Sequence, residues 1–147
     1  MPNCWEAYLT RGKAFAHVAR ISAADEDFAT AVKLRPGCFE LYQQVYETLS
    51  KSDVREYRRA IDASKKALSL PLPTDPEELK HRQENRLCLW WATALDYERL
   101  GDSENALRAF EEVKKLSPGR SISFPGVEER IARLRADLTG HETKNGD

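Results

Sequence analysis

Apolar residues recur every three or four positions along most of this chain, the period of amphipathic helices. Trp5, Tyr8, Leu9, Gly12, Phe15 and Ala16 mark the buried side of a first helix, and Ala24, Phe28, Ala31 and Val32 that of a second, closed by Pro36-Gly37. A third helix, about Phe39 to Leu49, offers Tyr42, Val45, Tyr46 and Leu49; a fourth carries Ala60, Ser64 and Ala67 and ends near Leu70. From Pro76 the pattern predicts one long helix to Leu100, nearly all polar over Glu77 to Arg86 apart from Leu79. That segment reads as solvated and projecting, or as a separate short helix broken near Asn85. Ala106, Leu107, Phe110 and Val113 define a sixth helix, closed by Pro118-Gly119. Pro125 opens a last one, about 125–139, with Val127, Ile131, Leu134 and Leu138 on one stripe and Glu128, Glu129, Arg130, Arg133 and Arg135 opposite. Gly140 should stop it, leaving 141–147 as a disordered tail.

The starts of these helices have their own signals. Asn3 with Glu6, and Asp53 with Glu56, have the spacing of capping boxes. Ser22 is placed to cap the second helix, with Asp25, Glu26 and Asp27 near the positive end of its dipole. Asp75-Pro76-Glu77-Glu78 is a strong start, and Asp102 follows the turn Leu100-Gly101.

Two stretches share one spacing. Gly12…Phe15…Ala24-x3-Phe28-x2-Ala31-x4-Pro36 is matched by Trp90…Ala94…Tyr97…Ala106-x3-Phe110-x2-Val113-x4-Pro118. Between them Ala60, Ser64 and Ala67 repeat the spacing after a two-residue insertion, with Ser64 in place of the aromatic, so that seam is expected to be less well filled. This resembles the tetratricopeptide repeat, a helix–turn–helix unit of 34 residues. The resemblance implies an all-α, right-handed α-solenoid of three such hairpins (about 5–38, 39–72 and 87–120) plus a capping helix, with an extended first helix in the third repeat. The whole is expected to form a single domain, 1–140. The turn that usually carries glycine reads Ala19-Arg20-Ile21 in the first unit, a departure from the family pattern.

Composition excludes more than it assigns. Net charge is −1 with acids and bases interleaved, which argues against nucleic acid as a partner. No apolar run approaches the roughly 20 residues of a membrane span, and no signal peptide is visible, so no membrane partner and a cytoplasmic location are expected. Cys4, Cys38 and Cys88 are odd in number; Cys4 and Cys38 fall one repeat apart, beyond disulfide reach, and reduced thiols are expected. There is no phosphate-binding loop, no nucleophile elbow and no His-x-x-x-His pair. His17, His81 and His141 are scattered, and adjacent acids such as Glu111-Glu112 point apart on a helix. No enzyme, cofactor or metal is expected.

The resemblance implies a function through a surface. Such repeats bind a protein or peptide partner in a concave groove lined mainly by each unit's first helix. Carried over, the groove positions are Glu6, Leu9, Lys13, Ala16 and His17 in the first unit and Glu40, Gln43, Glu47, Ser50 and Lys51 in the second. In the third they are Cys88, Trp91, Leu95, Glu98 and Arg99. Some members grip a C-terminal carboxylate with Lys, Asn and Arg; here those positions hold Glu and Gln in unit two and Cys88 and Ala92 in unit three, which argues against that clamp. Trp90 belongs to the repeat's own core. Trp91 turns about 100° away and is either a groove anchor or covered by a neighbouring helix. The expected role is a non-catalytic adaptor for a segment with an apolar anchor and a basic or amide-rich flank. Alternatives are a secretion-type chaperone, a self-assembling scaffold (a homo-oligomer through helix 76–86 or the Trp91 wall), or a regulatory domain of a larger system.

Overall fold

The computed structural model describes residues 4–120 and 122–144, the last four by backbone alone. Those residues form seven helices and no strand: α1 (Trp5–His17), α2 (Ile21–Leu34), α3 (Phe39–Ser50), α4 (Tyr57–Ser69), α5 (Pro76–Arg99), α6 (Ser103–Leu116) and α7 (Val127–Lys144). The chain is all-α, three helical hairpins and a further helix, as a helical repeat requires. Contacts gather into two compact units, Met1–Pro71 with α1–α4 and Leu72–Asp147 with α5–α7.

In the first unit α1 and α2 approach closely because Gly12 has no side chain. A Cβ there would lie 2.7 and 2.8 Å from two Phe28 ring carbons and 3.2 Å from Asp27 Cβ. Ala24 and Ala31 are fully buried beside Phe28, so small residues set the spacing and one ring fills it. The turn that lacks the usual glycine puts Ala19 at φ 59°, the left-handed conformation glycine would adopt without strain. Arg20, not Ser22, is the N-cap of α2; Ser22 lies inside the first turn and is exposed. Asn3 lies outside the described residues, and Cys4 holds the N-cap position of α1.

The second hairpin also departs from its expected start. Glu56 is the N-cap of α4 but its side chain makes no capping bond, and Arg55 takes φ 55° just before it. Asp53 instead meets His17 Nδ1 at 2.7 Å, tying the end of α1 to the α3–α4 turn. Lys13 Nζ donates to Gln44 Oε1 at 2.6 Å. Both bonds fit α1 and α3 running in the same direction, and hence α2 and α4 as well. Ser64, the residue in the aromatic's place, is fully buried, and its Oγ donates to the Ile61 carbonyl at 2.9 Å. The hydroxyl is satisfied by its own helix, at the cost of an apolar filler.

The second unit starts as its sequence dictates. Asp75 Oδ1 accepts from the backbone N–H groups of Glu77 (3.1 Å) and Glu78 (3.0 Å). α5 then runs unbroken past Asn85, whose Nδ2 lies 3.1 Å from His81 Nε2. Within its polar segment only the first turns are open to solvent; Arg82 to Arg86 are half-buried, so the segment is less solvated than its polarity suggests. Gly101 (φ 73°) makes the α5–α6 turn, and Asp102 Oδ1 caps α6 at Asn105 N–H, 3.2 Å. Ala94, Ala106, Phe110 and Val113 are fully buried between the two helices. Pro125 does not open α7 but lies in the turn before it, where Gly126 takes φ 83°. Ile131 and Leu134 are the buried centre of α7's stripe. Gly140 does not end the helix, which continues to Lys144; residues 145–147 lie outside the described residues.

Candidate functional site

The first helices of the first unit present a polar row. Glu6, Glu40 and Glu47 are exposed, and Gln43 Nε2 donates to Glu47 Oε1 at 3.0 Å along one turn of α3. Lys13, half-buried, is held by Gln44. Two groove candidates of this unit are closed to a partner: Leu9 and Ala16 are core residues, 4% and 2% exposed. His17 is engaged by Asp53, and Ser50 and Lys51 close the end of α3. The acids expected to serve the α2 dipole divide instead. Asp27 is buried and takes two bonds from the Arg11 guanidinium, both 2.7 Å, while Asp25 reaches across to Arg59 at 2.8 Å. A buried carboxylate with a bidentate guanidinium partner is satisfied without water.

In the second unit the candidates gather around Leu95. Trp91 is half-buried and has an intramolecular role: its ring meets Phe110 edge-on at 5.4 Å and Phe124 at 5.1 Å, with the Arg130 guanidinium 5.7 Å from its centroid. Arginine over an indole face is a cation–π contact. The covering groups are the segment before α7 and α7 itself, so the tryptophan is part of the packing that holds α7 in place. Trp90, expected in the repeat's core, is also only half-buried.

One turn beyond Trp91 a recess of about 400 Å³ opens, lined by Leu95, Glu98 and Arg99 of α5 and Arg130 and Arg133 of α7. Glu98, largely buried, accepts from both Arg130 and Arg133, and Arg99 bonds the buried Asp96. Three guanidiniums thus surround Leu95 against two carboxylates, and the site has a basic balance. Cys88, one turn before Trp91, is exposed and its thiol free. Partial burial, and then the nearby Glu84, push that thiol above its ordinary range. Of the groove positions in the sequence reading, the apolar Trp91 and Leu95 are therefore bordered by arginine. Arg130 and Arg133 escaped that reading because α7 was seen only as a cap. Their i, i+3 spacing on the polar side of α7 was the available signal.

No three His, Cys, Asp or Glu side chains come together as a metal site among the described residues, and no helix among them is long and apolar enough to cross a membrane. Residues 93–120 match the family model of the tetratricopeptide repeat. The match runs from Thr93 in α5 to Arg120 beyond α6, the hairpin whose spacing is cleanest, and it shows the resemblance there. No curated protein matches the chain. Repeats of this kind generally mediate protein–protein interaction and are as a rule non-catalytic; they build surfaces by stacking hairpins.

Proposed function

We propose that this chain is a non-catalytic adaptor that holds a segment of another protein against the first helices of its hairpins. The observation that carries the reading is the recess at Leu95. It offers a half-buried apolar floor, ringed by Arg99, Arg130 and Arg133, on a rigid helix pair pinned by Trp91, Phe110 and Phe124. A site of this make-up suits an apolar side chain next to a carboxylate, because guanidiniums pair with carboxylates bidentately. Glu6, Glu40 and Glu47 of the first unit suit a basic or amide-rich stretch of a partner.

The test is capture from the native host with the full chain, the partner being identified by mass spectrometry, and repeated with Leu95→Asp and Arg99→Glu. A protein retained by the wild type and lost with both variants, at unchanged helicity, supports the reading. Equal retention by all three places binding elsewhere.

A further inference from the structure

The first unit holds a second concavity that the first-helix surface does not use. α2 and α4 run in parallel over α3 and leave between them a cleft of about 440 Å³. Tyr42, Val45 and Leu49 of α3 form its floor, and Phe28, Val32 and Ala63 supply the apolar parts of its walls. The volume is within the range of small-ligand sites. It is open between two helices rather than enclosed, so it admits side chains from a passing chain. Its small wall follows from sequence: α2 and α4 carry Ala29 and Ala63 where bulky residues would narrow the gap.

The rim is charged unequally along its length. At one end the Asp25–Arg59 pair bridges α2 to α4, and Arg59 also bonds Glu56 at 3.0 Å, so its one cation there is already taken up by two carboxylates. At the other end Lys33 and Lys66, both exposed, lie in the last turns of α2 and α4. Neither ammonium has an ion-pair partner among the described residues. Asp62, one turn before Lys66 and exposed, stands along the wall between the two ends. The parallel direction of the helices thus sets two free cations at the same end of an apolar trough.

We propose that the cleft between α2 and α4 is a second binding site, for a segment of another protein that seats bulky apolar side chains on the α3 floor and places a carboxylate between Lys33 and Lys66. Complementary charge fixes the register: Asp62 repels an acid from the middle, and the lysines accept one at the end. The site lies on the second helices, independent of the recess at Leu95.

A random dodecapeptide phage library selected on the full chain, with counter-selection on Ala63→Trp, tests this. Enriched peptides should carry paired Leu, Phe or Trp followed by Asp or Glu. A synthetic peptide of that consensus should shift the ¹⁵N amide signals of Val32, Ala63 and Lys66. Its affinity should fall at least tenfold with Ala63→Trp and with Lys33→Glu/Lys66→Glu, and stay unchanged with Arg99→Glu. Because Ala63→Trp can fail to fold, the exposed double charge reversal stands as the independent arm. Enrichment of basic peptides, no enrichment dependent on Ala63, or shifts confined to α5–α7 would overturn the proposal. A doubled mass of the free chain with the same residues shifted would assign the cleft to a second copy and overturn it too.

Discussion

At the scale of single residues, Gly12 and Trp91 carry the sharpest consequences. Alanine is the better helix former by roughly 0.5–1 kcal/mol, yet a methyl at Gly12 meets the buried Phe28 ring below 3 Å. Overpacking of this sort costs about 1–3 kcal/mol. Gly12→Ala is therefore expected to lower the unfolding free energy, and Gly12→Leu to lower it further, in chemical denaturation followed by circular dichroism. An increase for Gly12→Ala would mean that Phe28 yields freely. Trp91→Ala removes contacts with Phe110, Phe124 and Arg130 and should cost roughly 1–3 kcal/mol, measured the same way. Much of this was legible in sequence: Gly12, Ala24, Phe28 and Ala31 were placed correctly because their spacing is a packing rule. The role of Trp91 was left open because its covering residue, Phe124, sits in a loop with no periodicity. The buried Asp27 was read as a dipole acid because nothing in the spacing of Arg11 and Asp27 announces a pair across two helices.

At the scale of elements, the starts of helices were the least legible feature. Asp75 and Asp102 cap as their sequences suggest, whereas Ser22 and Asp53 do not, since tertiary partners and turn geometry outweigh a local capping bond of about 1 kcal/mol. Asp53 is drawn to His17, and that hydrogen bond first, helped by its own backbone N–H, holds its carboxyl below the ordinary 3.8. A carboxylate with a depressed folded pKa contributes stability that is present above the unfolded value and is lost as pH falls through the folded one. The melting-temperature difference between wild type and Asp53→Asn should thus be present at pH 6 and vanish progressively below about pH 3.8. A difference that grows on acidification would contradict the assignment. The α3–α4 hairpin, with Ser64 in the aromatic's place and an unfilled cleft beside it, should open before the other hairpins. Amide exchange is expected to be fastest in α3 and α4, and equal protection throughout would reject this.

At the scale of the molecule, the repeat pattern announced hairpins but not their grouping into Met1–Pro71 and Leu72–Asp147. The boundary falls at the proline pair flanking Leu72, since proline there cannot continue α4. Nor did the pattern announce that α7 would supply two of the arginines at Leu95, since a terminal helix is read as a shield until its neighbours are known. An adaptor keeps its binding faces free, so one species of 16.8 kDa is expected by light scattering at low and high concentration. A concentration-dependent doubling would favour the scaffold alternative. The adaptor reading is tested most directly by site-specific photo-crosslinking to the captured partner. A benzophenone side chain would be placed in turn at Gln43 and Cys88 on first helices, and at the exposed Arg108 on α6. The account predicts crosslinks from Gln43 or Cys88 and none from Arg108; crosslinks from Arg108 alone would contradict it.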